Sequence, residues 1–194
     1  VLSSAVIGID AYIVEVEVDI SQGLPAFSTV GLPEGAVRES KERVRTSIKN
    51  SGYHFPSDRI TVNLAPADTK KEGTAFDLPM AIGILTATGV IPENHDKRFL
   101  IMGELSLDGL IRPVKGILPV AVTAKESGLD GIFLPVENAM EAAVVKGLNV
   151  YPVSTLSQLV EVLSGEKNAA PFISNFNGLF ENREMDIDFS DVKG

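Results

Sequence analysis

Lys70-Lys71-Glu72-Gly73-Thr74-Ala75-Phe76-Asp77-Leu78-Pro79-Met80-Ala81 sets a Gly-containing polar loop directly before a segment, Phe76 to Val90, that is apolar nearly all round. Such a segment reads as a helix buried on every side. Upstream, the chain reads mainly as strands. From Val14 to Ile20, apolar Val14, Val16, Val18 and Ile20 alternate with Glu15, Glu17 and Asp19, the period-two signature of a half-buried strand. Ser4–Asp10 and Ala26–Val30 are further strand segments, with Ser21-Gln22-Gly23-Leu24-Pro25 as turn chemistry between the second and third. A helix is expected from Pro33, whose fixed φ suits a first turn, with Val37, Val44 and Ile48 on one face and Gly52 after the last turn. Arg59–Leu64 alternates as a strand, and Ala65 to Thr74 is a polar loop.

Downstream, Phe99–Leu105 and Leu110–Val114 flank Asp108-Gly109 and read as a hairpin. Helix and strand then alternate: Ile117–Ser127, Gly131–Leu134, Asn138–Lys146, Val150–Val153 and Leu156–Leu163. Short strands separated by helices imply parallel pairing with right-handed crossovers, so the class is α/β with an α+β leaning. Residues 165–194 contain no periodic segment and read as an extended tail.

Composition excludes several functions. Of 194 residues, 44% are hydrophobic and 22% charged, ordinary for a soluble globular domain. There is no cysteine, which excludes disulfides and thiolate metal sites and fits a reducing, cytoplasmic setting. The net charge of −9 disfavours nucleic acid except at a local basic patch. No apolar run approaches the roughly 20 residues that cross a bilayer, so no membrane role is expected. There is no phosphate-cradling G-x-x-x-x-G-K-[ST] and no G-x-G-x-x-G, and His54 and His95 stand in no metal-ligand spacing. No cofactor or metal is therefore expected on this chain. Val1 is not an initiator residue and Asp191-Val192-Lys193-Gly194 reads as a lead-in, so a piece of a larger protein is expected.

The Lys70–Ala81 stretch, followed by Gly103-Glu104-Leu105-Ser106-Leu107-Asp108-Gly109 and Arg112-Pro113-Val114-Lys115-Gly116-Ile117-Leu118, is similar to the proteolytic domain of Lon. In Lon a Ser after the loop Gly attacks the peptide and a Lys at the start of the second helix is its base. A lysine base of that kind must be desolvated so that its pKa falls. Carried over by position, the resemblance puts Ala75 at the nucleophile and Leu118 at the base. Neither side chain can perform its step. Thr74 and Lys115 are the nearest substitutes, each displaced along the chain, and a misplacement of about 1 Å costs on the order of 100-fold.

Val6-Ile7-Gly8-Ile9-Asp10-Ala11, Val30-Gly31-Leu32-Pro33, Ile60-Thr61-Val62-Asn63-Leu64-Ala65-Pro66-Ala67-Asp68, Phe76-Asp77-Leu78-Pro79 and Leu134-Pro135-Val136-Glu137-Asn138-Ala139 resemble the N-terminal domain of the YifB/ComM family, labelled magnesium chelatase subunit-like. This resemblance implies a Lon-like fold, related to the second domain of a small-subunit ribosomal protein superfamily, over residues 1–164. It implies that residues 165–194 link to an AAA+ ATPase module, where ATP and Mg would bind. It also implies a hexameric motor that extends recombination intermediates by branch migration in natural transformation. The competing readings are a divergent peptidase and a part of a literal metal-insertion machine.

On the first helix Arg38, Lys41, Arg45 and Lys49 form one stripe, and Lys70 and Lys71 add charge nearby in sequence. As a functional surface this would meet DNA or a neighbouring subunit's carboxylates. As a solvated face it would have Glu34, Glu39 and Glu42 paired with Arg38, Arg43 and Arg45.

Overall fold

The computed structural model describes residues 1–93 and 98–173. Strands β1 (Leu2–Ile7) and β2 (Asp10–Ser21) form a hairpin that turns at Gly8-Ile9. Gly8 adopts a positive φ of 63° there. The expected first strand ran through this turn to Asp10; the turn instead makes Asp10 the first residue of β2. Strand β3 (Ala26–Val30) lies parallel to β4 (Arg59–Ala65), which pairs antiparallel with β2.

Helix α1 (Gly35–Asn50) follows β3, and helix α2 (Asp77–Ala87) follows the loop after β4. Pro33 is not in the first helical turn. It bridges to Lys71, its carbonyl accepts from Arg38 Nε at 3.0 Å, and α1 begins two residues later. Helix α2 ends at Ala87 instead of Val90, because Gly89, at φ 75°, turns the chain out of the helix.

Strand β5 (Phe99–Ile101) joins the main sheet, while β6 (Glu104–Leu105) and β7 (Ile111–Arg112) form a separate two-stranded ribbon. The expected hairpin is thus present only over β6 and β7, and its first arm is divided between two sheets. Gly103 is the point of division. Its N–H donates to the Ala75 carbonyl at 3.1 Å and its carbonyl accepts from Leu78 N–H at 3.0 Å, so the ladder is diverted to the start of α2. Helix α3 (Ile117–Glu126), β8 (Gly131–Pro135), a short 3-10 turn with helix α4 (Ala139–Ala142), β9 (Asn149–Val153) and α5 (Leu156–Leu163) complete the order. The helix expected over Asn138–Lys146 is only α4, since β-branched Val144 and Val145 and the positive-φ Gly147 end it early.

Among the described residues the main sheet has seven strands in the order β3-β4-β2-β1-β5-β8-β9. The β1, β5, β8 and β9 ladders are parallel and those around β2 antiparallel, the mixed α/β architecture expected from the element order. Two cores result, one on each side. One joins α1, α2 and α5 through Val44, Ile48, Leu78, Ile82, Leu159 and Leu163 to Val14, Val16, Val62 and Leu64. The other packs α3 and α4 through Ile117, Val120, Ala121, Ala139 and Ala142 on Leu100, Ile132 and Val150. Along β2 the outward Glu15, Glu17 and Asp19 stay exposed while Val14 and Val16 are buried, as alternation requires. Of the expected tail, residues 165–173 are described; Phe172 N–H donates to the Val150 carbonyl at 2.7 Å. The rest of that segment, and His95, lie outside the described residues.

Candidate functional site

The loop before α2 and the segment after β7 meet across a cleft of about 400 Å³ beside β1. Its walls include Ser4, Ala5 and Val6 of β1, Glu72 to Ala75 of the loop, Met102 and Glu104, and Pro113 to Lys115. The loop is tied down at several points. Tyr12 Oη donates to the Lys70 carbonyl at 2.9 Å, Lys71 N–H to the Leu32 carbonyl at 3.1 Å, and Glu34 N–H to the Lys71 carbonyl at 2.9 Å. The opposite wall is fixed by Asn138, whose Oδ1 accepts from Val114 N–H and whose Nδ2 donates to the Val114 carbonyl, both at 2.9 Å. This two-point clamp gives the Leu134–Ala139 motif a physical role that its sequence alone did not reveal.

Ala75, Thr74 and Lys115 all line this cleft. The Thr74 hydroxyl donates to a Glu104 carboxylate oxygen, and Lys115 is exposed. The group beside the Thr74 hydroxyl is therefore the Glu104 carboxylate and not a lysine amine. Leu118 is elsewhere. It sits one residue into α3, 42% exposed, with its main-chain N–H donating to Glu141 Oε1 at 3.0 Å.

The least expected residue near the site is Asp77, at the start of α2 and fully buried. Arg43 of α1 grips it with two bonds, Nε to Oδ2 at 2.7 Å and Nη2 to Oδ1 at 3.1 Å, and Leu105 N–H of β6 donates to Oδ2 at 3.3 Å. Burial pushes the Asp77 carboxyl up to about 6, against the pull of Arg43 and the Leu105 amide. The pair raises the Arg43 guanidinium further above its ordinary value. One signal in sequence marks it: a lone carboxylate heading an otherwise apolar helix needs a partner.

The basic residues separate into different roles. Lys71 is fully buried, donates through Nζ to the Pro66 carbonyl, and has its pKa lowered by that burial. It is therefore no surface contact, contrary to the expectation from its charge: the Pro33 bridge draws it inside. Lys70 pairs with Glu34 at 3.1 Å. Arg38 is bonded to the Pro33 carbonyl. Lys41, Arg45 and Lys49 remain together along a groove of about 270 Å³ with Phe27, Glu42, Phe55 and Asp58, where Arg45 lies 5.8 Å from the Phe55 ring centre. His54 is exposed, and among the described residues no group of three or more His, Cys, Asp or Glu could hold a metal ion. Among those residues no helix is long and apolar enough to cross a membrane.

The family described as ChlI, subunit ChlI of Mg-chelatase, matches residues 16–138. Competence protein ComM of Haemophilus influenzae is 43% identical over 167 residues, covering 86% of this chain and 33% of its own length. The uncharacterized protein YifB of Escherichia coli is 38% identical over 190 residues, covering 98% of this chain and 37% of its own. Lon protease 2 of Bacillus subtilis is 30% identical over 149 residues, covering 72% of this chain and 26% of its own. The chain thus spans about a third of the length of the curated relatives it matches. It belongs to the ChlI family of Mg-chelatase-like proteins, in the group whose relatives are named ComM and YifB.

Proposed function

We propose that this chain is a non-catalytic, Lon-like assembly domain of a hexameric AAA+ ATPase of the YifB/ComM type. The observation that carries the reading is the cleft beside β1. Its walls come from the two segments that resemble Lon, yet Ala75 stands where the resemblance puts a nucleophile, and Leu118, at the base position, is not among its walls. In this reading the residues after 165 lead into the ATPase module, which holds ATP and Mg and performs hydrolysis, while residues 1–164 help the ring form in the cytoplasm. The whole protein acts as a DNA motor on recombination intermediates, in keeping with the name of the Haemophilus influenzae relative, competence protein ComM. Lys41, Arg45 and Lys49 are the basic residues offered to a neighbouring subunit or to DNA.

A divergent peptidase is the reading to exclude. The protein is incubated with unfolded casein and with a fluorophosphonate probe, then digested and mapped by mass spectrometry. The expected result is intact casein and no adduct; an adduct on Thr74 that tracks with cleavage would make the domain an enzyme. Tetrapyrrole metal insertion is the reading suggested by the description of the matching family alone, and it ranks below the DNA role.

A further inference from the structure

We propose that a second copy of this chain lays the basic face of its α1 along the acidic face of β2, joining neighbours head to tail. This names the contact through which the assembly domain proposed above holds its ring, and it rests on that reading. The period of two in β2 and β4 divides their side chains between the faces of the sheet. Val14, Val16, Val62 and Leu64 enter the core beneath α1 and α2. Glu15, Glu17 and Asp19, with their β4 partners Ala65, Asn63 and Thr61, take the other face. There the core of α3 and α4 takes in Ala11 and Ile13 at the start of β2, whereas Glu15, Glu17 and Asp19 beyond them are exposed.

These carboxylates keep their charge unspent. Glu17 accepts from the neutral Asn63 Nδ2 at 2.6 Å, and among the described residues none of the three forms an ion pair. They border a hollow of about 430 Å³ together with Thr86 and Glu93, which leaves room for long side chains.

Helix α1 lies on the opposite side of the sheet and carries the complement. Lys41, Arg45 and Lys49 line its outer groove, and among the described residues none of them is ion-paired, although Glu42 and Asp58 border the same groove. The spacings agree. Four residues of helix rise about 6 Å, so the three cations span about 12 Å. Two residues of strand advance about 6.7 Å, so the three carboxylates span about 13 Å. Each cation can therefore meet one carboxylate. The two faces of one copy point away from each other across its sheet, so the pairing takes two copies through unlike patches, and a contact of that kind repeats and closes as a ring. A net charge of −9 makes two copies repel unless opposite patches are brought together, and it repels a phosphate backbone as well.

The test is zero-length carbodiimide coupling, which joins a lysine amine to a carboxylate in contact with it, in the full-length protein with ATP and Mg. Isotope-labelled and unlabelled copies are mixed so that mass spectrometry separates links between copies from links within one. Links between copies from Lys41 or Lys49 to Glu15, Glu17 or Asp19 are expected. Reversing the helix face (Lys41→Glu, Arg45→Glu, Lys49→Glu) is expected to weaken assembly about tenfold or more in sedimentation, with circular dichroism unchanged. Reversing the strand face with Glu15→Lys, Glu17→Lys and Asp19→Lys should do the same, and combining both reversals should restore assembly. If a reversed variant does not fold, the links in the unaltered protein decide. Absence of these links, or unchanged assembly in both folded variants, would overturn the proposal. So would a helix variant that assembles normally but loses affinity for a single-stranded oligonucleotide. A ring that needs residues 1–164 yet shows no such links would sink this contact and leave the assembly reading standing. Links found in a ring that survives deletion of those residues would uphold the contact and sink that reading.

Discussion

Asp77 enters α2 from the polar loop with its carboxylate inside the protein, between Arg43 of α1 and the Leu105 amide of β6. One buried side chain thereby fastens two helices and the ribbon that borders the cleft. Because burial holds its folded pKa near 6, above the ordinary 3.8, the native state keeps its proton longer than the unfolded chain does. Its contribution to stability is therefore full below about pH 4 and is lost as pH rises to about 6, with no further change above that. The loss is on the order of 2–3 kcal/mol. Denaturant unfolding of the protein and of Asp77→Asn across pH 4 to 7 should give a difference that shrinks along that slope. A difference independent of pH would mean that Asp77 is ionised throughout, held so by Arg43.

At the scale of elements, turns and ladders show how much was legible. The alternation in β2 and β4, the one-sided apolar stripe of α1 and the βα alternation after β7 all follow from local periodicity, and the fold class follows with them. What local pattern could not carry was tertiary: the diversion of the chain at Gly103, the inward turn of Lys71 and the two-point clamp from Asn138 to Val114 depend on partners 24 to 39 residues away or on a second sheet. At the site, the loop and its companion segment were legible as neighbours, since Ala75, Thr74 and Lys115 do share a cleft, whereas the β1 wall was not. Gly31 is a second such case. It joins β3 to α1 at φ 94°, and a Cβ there would overlap the Leu64 carbonyl, which is backbone and cannot move aside. Gly31→Ala is expected to cost about 3 kcal/mol or more, through a left-handed φ and a backbone clash together. A thermal midpoint within a degree or two of the unaltered protein would show that this approach relaxes freely.

For the whole molecule, the sheet with helices on both sides carries two cores, and its surface retains apolar and acidic side chains that face outward. Exposed Leu118 and Val122 on α3, Met140 on α4 and Val144 just after it are apolar side chains on the helical side, and Glu15, Glu17 and Asp19 are exposed along β2. A domain that serves a ring would bury some of this surface against its neighbours, since large exposed apolar groups mark association faces. The direct measurement is sedimentation velocity of the full-length protein with ATP and Mg, with and without residues 1–164, and of this domain at high concentration. The account predicts that the intact protein sediments as a hexamer and that removing the domain shifts it to smaller species. A hexamer that survives the deletion, together with a domain that stays monomeric when concentrated, would contradict it.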